Sequence, residues 1–267
     1  MPALLKAAIL GVVQGLTEFL PVSSTAHILL GSRLLGYDDP GGVFTTMIQL
    51  GSIFAVMWLY RAKILAVVTG LPTQPEARRF ALMILLASVP ILLAGALFSS
   101  FVKSVLYDSG VVIALAFIVG GVIMLAVERF RPVPDVMNVD SLPVGRALAI
   151  GSFQALALVP GVSRSGGTIV AAMALRVDRP AAAEFTFFLA MPTMTAAFAH
   201  DLVGARHDLA SARGLEIAVG FVTAFLASLL VVKPFLYYVR RSGFAPFAWY
   251  RIVTGLALLV AIAAGIS

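Results

Sequence analysis

Long apolar runs separated by short polar stretches set the pattern of this chain. Nearly charge-free windows run from about Val43 to Tyr60, Phe80 to Phe101, Gly110 to Val127, Ala181 to Ala199, Leu215 to Val232 and Phe244 to Ile266. Such windows have the roughly 18 to 22 residues a helix needs to cross about 30 Å of hydrocarbon. Two further apolar runs are interrupted. Residues 6–34 contain Q-G-L-T-E-F-L-P-V-S-S-T-A-H, from Gln14 to His27, and residues 145–175 contain P-G-V-S-R-S-G-G-T, from Pro160 to Thr168. A polar, proline-containing linker, Glu128 to Pro143, divides the chain near its middle, and the segment 61–79 reads as a loop broken by Pro72 and Pro75.

Composition supports the same class. The chain is 60% hydrophobic and 12% charged, about half the charge of a soluble domain. The net charge of +6 does not point to nucleic acid, because the cations are scattered between apolar spans and form no groove-like run with interleaved aromatics. With no cysteine, there is neither a disulfide framework nor thiol chemistry.

Loop cations orient the spans. Segments 61–79, 129–146, 176–179 and 233–251 hold thirteen of the nineteen Lys and Arg residues, Arg251 among them. Lys6, Arg33, Lys103, Arg206 and Arg213 lie on the opposite side, and Arg164 is left within the membrane. The cation-rich side is cytoplasmic by the positive-inside rule. Span 43–60 then starts outside and span 181–199 inside, so segments 6–34 and 145–175 each enter and leave from one face, and from opposite faces. The expected fold is an all-α polytopic membrane protein with about six transmembrane helices plus two re-entrant helical hairpins in an inverted-topology repeat. It forms a single membrane domain with repeats 1–130 and 145–267, an arrangement seen in transporters. At an offset of 140, Gly11, Gln14, Leu16, Val22 and Ser23 match Gly151, Gln154, Leu156, Val162 and Ser163.

Polar residues at membrane depth are functional hypotheses by default. Gln14 and Glu18 share a helix face at a spacing of four. Pro21 breaks that helix, and Ser23, Ser24 and Thr25 are suited to cap the next; His27 sits one turn on. In the second stretch, Ser163, Arg164, Ser165 and Thr168 stand among Gly161, Gly166 and Gly167. Glycines let backbone N–H groups turn toward an anion, a following helix start adds positive potential, and arginine recognises phosphate bidentately. A carboxylate, hydroxyls, a histidine and an anion cradle are the equipment for phosphoryl transfer or hydrolysis. Glu18 is also the metal candidate, for a divalent cation such as Mg²⁺ shared with substrate oxygens. His200 and His207 read as a solvated outer turn, and Trp58, Tyr60, Trp249 and Tyr250 as interface anchors.

The two polar stretches closely resemble the signature motifs of the undecaprenyl-diphosphatase, or bacitracin-resistance, family. I-Q-L-G-S-I (48–53), A-A-E-F-T-F (182–187) and F-A-W-Y-R (247–251) extend the resemblance over nearly the whole chain. It implies hydrolysis of undecaprenyl diphosphate to undecaprenyl phosphate and phosphate, recycling the lipid carrier of cell-wall synthesis and conferring bacitracin resistance. It further implies a bacterial inner membrane location, and the first re-entrant segment makes the site open outward. By motif position, Gln14 and Glu18 form the acidic motif, with Gln14 counted among the substrate-binding residues; Ser24 is the candidate nucleophile, His27 the catalytic histidine that accepts its proton or protonates the leaving phosphate, and Glu18 either binds Mg²⁺ or orients His27. Arg164, with Ser163, Ser165 and Thr168, binds the diphosphate and stabilises the developing charge, with Ser23, Thr25 and Gly166 counted beside them. Members often carry glutamate where this chain has Gln14, which leaves one carboxylate for any metal. The alternative is a polyprenyl-phosphate transporter or flippase. The expected partners are a polyprenyl diphosphate and membrane lipids, not nucleic acid, with a homodimer left open.

Overall fold

The computed structural model describes residues 1–105, 109–205 and 213–265. Among them every regular element is helical apart from one isolated parallel bridge, Val136 to Val177. Lys103, His200, Arg206 and His207 lie outside the residues whose side chains are described.

In chain order the helices are α1 (Ala3–Thr17), α2 (Ser24–Leu35), α3 (Val43–Leu59), α4 (Arg61–Gly70), α5 (Pro75–Val105), α6 (Gly110–Phe130), α7 (Val144–Gln154), α8 (Arg164–Ala174), α9 (Arg179–Ala205), α10 (Gly214–Ser242) and α11 (Ala245–Ala263). Five of them, α5, α6, α9, α10 and α11, contain stretches long and apolar enough to cross a bilayer. Helices α3 and α4 make a sixth span if their 73° bend is counted within one span. The chain is a multi-pass, all-helical membrane protein.

Segment 61–79 is not the loop expected from its four cations. Residues 61–70 continue as helix α4 and α5 begins at Pro75. Apolar Ile64, Leu65, Val67 and Val68 give α4 a helical run, while Arg61 is satisfied locally through the Trp58 carbonyl at 2.8 Å. The cations at 61 and 63 therefore accompany a bend between two helices rather than a loop.

Two apolar helices stop short. Helix α1 has 15 residues, about 22 Å at 1.5 Å per residue, too short for the hydrocarbon. It ends in a turn before Pro21, and α2 starts at Ser24. Helix α7 runs into a 3-10 turn, Ala155–Leu158, then Pro160 and Gly161, whose φ of 89° lies in the left-handed region; α8 follows.

Packing comes in pairs. Helix α1 lies along α10 and α7 along α5, while α3 packs on α10 and α9 on α5. The approaches are close because glycine sits at the crossings: a Cβ on Gly11 would collide with Thr223 and the Gly220 carbonyl, and one on Gly151 with the Ala87 carbonyl. Without a hydrophobic driving force between helices in lipid, such small-residue contacts carry the association. Helix α6 packs on α11 over Gly121 and Gly255 in the same way. A seam of buried aromatics (Phe19, Phe185, Phe187, Phe188, Phe235 and Phe244) ties the first polar stretch to α9 and α10. Phe19 and Phe187 meet edge-on at 5.2 Å.

The central linker is held rather than free. Arg79 donates to the Asp140 and Leu142 carbonyls at 3.0 and 2.9 Å, and Lys63 pairs with Asp140 at 2.7 Å. Asp135 pairs with Arg146 and Arg176, and the Arg146 guanidinium holds its carboxyl below the usual carboxylate range.

Candidate active site

The two interrupted stretches meet. Ser165 Oγ, at the start of α8, donates to the Leu20 carbonyl at 2.8 Å, and Gly166 packs so closely on Pro21 that a Cβ there would lie 3.3 Å from the proline side chain. Arg164 Nη2 stands 3.7 Å from Glu18 Oε1. Ser24 at the start of α2 and Arg164 at the start of α8 therefore both face Glu18, and helix starts favour an anion.

Glu18 is the centre of the polar contacts. Its Oε2 accepts from Gln14 Nε2 and from Ser24 Oγ, both at 2.6 Å. Glu18 and Ser24 are buried, whereas the Arg164 side chain keeps a quarter of its surface open. Gln14 is fully buried, yet its Oε1 has no hydrogen-bond partner. The Gln14–Glu18 spacing places both on one face of the α1 helical turn, as the sequence predicts.

Ser23 and Ser163 stand at equivalent helix starts but act differently. Ser163 Oγ accepts from the Gly166 amide at 3.0 Å, an ordinary N-cap, and lies 3.1 Å from Ser165 Oγ. Ser23 makes no side-chain cap. Its φ of 69° puts a non-glycine residue in the left-handed region, a conformation that costs about 1 to 3 kcal/mol and persists only where surroundings impose it. That backbone aims the Ser23 carbonyl at His27 Nδ1, 2.8 Å away. Thr168 Oγ1 donates back to the Arg164 carbonyl at 2.9 Å, within its own helix. Thr25 follows Ser24 in the first turn of α2.

His27 is not joined to Glu18. Its Nε2 lies 2.6 Å from the Tyr250 hydroxyl, and the two rings stack with centroids 5.7 Å apart. Tyr250 is thus more than an interface anchor.

Arg251, counted by its sequence position among the loop cations of 233–251, stands elsewhere. Instead of a loop cation it is a buried side chain with 2% exposure. Its Nη2 donates to the Ala116 and Gly161 carbonyls at 2.9 and 3.1 Å, and Nη1 reaches the Pro21 carbonyl at 3.4 Å. Its guanidinium also lies over the Phe117 ring at 5.2 Å. One cation so bridges α6 and both loops. Gly120 makes room for it, since a Cβ there would strike the guanidinium. Losing Arg251 from the loop count leaves twelve cations against five, so the charge asymmetry stands.

Among the described residues no cluster of three or more His, Cys, Asp or Glu side chains could hold a metal ion. One carboxylate and the partnerless Gln14 Oε1 remain as oxygen donors. That set suits a magnesium-type ion taken up with substrate phosphates, and no dedicated protein cage.

Similarity to known proteins runs almost end to end. Residues 7–257 match the family model described as bacitracin resistance protein BacA. The undecaprenyl-diphosphatase of Cereibacter sphaeroides is 48% identical over 261 residues, covering 98% of this chain and 97% of the relative. Undecaprenyl-diphosphatase 1 of Agrobacterium fabrum is 47% identical over 260 residues, and the Paracoccus denitrificans undecaprenyl-diphosphatase 47% over 259, each covering 97% of both chains. With a match of this extent, the chain belongs to the bacitracin resistance protein BacA family.

Proposed function

We propose that this protein hydrolyses undecaprenyl diphosphate to undecaprenyl phosphate and inorganic phosphate, recycling the lipid carrier of cell-wall synthesis and so conferring bacitracin resistance. The names of its relatives support the reaction. The observation that carries the site assignment is the Ser24–Glu18 hydrogen bond set opposite Arg164 at two helix starts.

Ser24 Oγ attacks the terminal phosphorus while its proton passes to Glu18 Oε2. The bond from that phosphorus to the bridging oxygen breaks, and undecaprenyl phosphate leaves. Arg164 and the N–H groups opening α8 hold the charge on the phosphoryl oxygens, where positioning and electrostatics do most of the work. Water then cleaves the phosphoserine and releases phosphate: Glu18 returns its proton to the Ser24 oxygen, and the water's proton reaches His27 Nε2 by way of the Tyr250 hydroxyl bonded to it. Ser163, Ser165, Gly166 and Thr168 shape the cradle, and Ser23 and Thr25 border it. Glu18 with Gln14 Oε1 would hold a Mg²⁺ ion, which when bound neutralises diphosphate charge.

The topology belongs to the same proposal. Residues 1–130 and 145–267 form inverted repeats with re-entrant elements 6–34 and 145–175, in the bacterial plasma membrane with the site open to the outer face. The paired packing of α1 on α10 and α7 on α5 supports it. So do the matched residues: Gln14 and Gln154 are both fully buried, and Ser23 and Ser163 both stand at helix starts.

Purified protein in detergent should release phosphate from a lipid diphosphate, and a chelator should lower the rate. No release in detergent, together with movement of lipid phosphate across proteoliposomes, would replace hydrolysis by transport.

A further inference from the structure

Two consecutive residues of α11 reach the polar stretches from across the bundle, and only Arg251 is buried among them. Tyr250 is 45% exposed, yet its hydroxyl and ring are both committed to His27. The hydrogen-bond roles follow from the partners. The Ser23 carbonyl can only accept, so His27 Nδ1 carries a hydrogen and donates at 2.8 Å. In the neutral ring Nε2 is then the acceptor, and the Tyr250 O–H is the donor at 2.6 Å. Should Nε2 gain a proton, the same phenol oxygen accepts from it. A tyrosine can serve both states of the ring without moving, which an amide or an amine could not do.

We infer that Tyr250 is a positioning residue for His27: its hydroxyl fixes the imidazole's tautomer and its ring fixes the imidazole plane, so that His27 keeps one geometry through both proton states of the reaction. This rests on the phosphatase reading above. The remaining contacts on the histidine are consistent with the role. Phe117 of α6 faces the imidazole with ring centroids 6.0 Å apart. The Ser23 carbonyl that anchors Nδ1 is aimed by a left-handed backbone. Three elements thus converge to hold one ring, more constraint than a helix-surface histidine needs for folding.

The test is phosphate release from a lipid diphosphate by the purified full chain in detergent, comparing wild type, Tyr250→Phe, His27→Ala and the double variant. Tyr250→Phe keeps the stacked ring and removes one hydrogen bond to the imidazole, so kcat should fall about tenfold. KM should stay within about twofold, since the hydroxyl is committed to His27 and not to the anion cradle. In the His27→Ala background the same change should have no further effect, because a residue acting through the histidine has nothing left to position. Full kcat in Tyr250→Phe overturns the inference, as does an equal additional loss in the His27→Ala background. A rise in KM without a fall in kcat overturns it too. A wild type that releases no phosphate removes the phosphatase reading, and this inference with it.

Discussion

Ser24 gives its hydroxyl hydrogen to Glu18, not to His27: the Oγ lies 2.6 Å from Glu18 Oε2, while both histidine nitrogens are engaged by the Ser23 carbonyl and Tyr250. A serine hydrogen-bonded to a buried carboxylate is the nucleophile–base pair that covalent phosphoryl transfer needs. Ser24→Ala should therefore lower kcat by about 10³-fold or more, as loss of a nucleophile does. Its melting temperature should change little, because Ser24 does not cap α2. Near-normal turnover of this variant would hand the attack to water.

Glu18→Gln keeps the size of the side chain and its contacts with Gln14 and Ser24 but withdraws the base. Turnover should drop about 10² to 10⁴-fold, the range for a general base. Arg164 is partly open and stands 3.7 Å away, so losing its partner should cost little stability; thermal unfolding in detergent checks this. If Glu18→Gln unfolded the protein while Ser24→Ala left activity intact, Glu18 would be a structural partner of Arg164.

The two polar stretches that meet in the structure stand out in the sequence because polar residues inside apolar runs are expensive. Glu18 and Arg164 could not be idle at that depth, and Pro21 and Gly161 announced the chain breaks. What the sequence hid depends on distant pairing. Arg251 follows a glycine–proline turn and an aromatic pair, the usual surroundings of a loop cation. Its burial requires α11 to lie on α6 at Gly120 and Gly121, some 130 residues earlier, a pairing no local pattern encodes. Tyr250 reads as an anchor in the sequence for the same reason. Ser23 looked like an ordinary cap, and only its left-handed backbone shows that its carbonyl matters more than its hydroxyl. Helix α4 is hidden in the sequence because Arg61 and Lys63 outweigh its apolar run.

Gly11 and Gly151 each lie at a close helix crossing, α1 on α10 and α7 on α5. Gly11→Ala or Gly151→Ala should each cost about 1 to 3 kcal/mol, the penalty for adding volume where neighbouring backbone cannot yield. Gly145→Ala is the control, since a Cβ there meets nothing within 4 Å. Thermal unfolding in detergent should rank Gly145→Ala with wild type and both others below it. A loss confined to one crossing would argue against equivalent roles for the two short helices.

Arg251 holds the two loops at a common distance. Arg251→Met removes the charge and leaves the Pro21, Gly161 and Ala116 carbonyls without their donor, at a cost of about 2 to 5 kcal/mol. Phosphate release should fall as well, because Gly161 leads into Arg164 and Pro21 links Glu18 to Ser24, so separating the loops separates Ser24 from Arg164. Arg251→Lys keeps the charge, but one ammonium cannot fan out to carbonyls on three segments; it should lie between wild type and Arg251→Met in both stability and rate. Gly120→Ala provides an independent approach, since its Cβ pushes on the guanidinium without changing its charge. All three variants should lose turnover in the order in which they lose melting temperature. An Arg251→Met protein that melts and turns over like wild type would show that the loops are held together by Ser165, Leu20 and Pro21 alone.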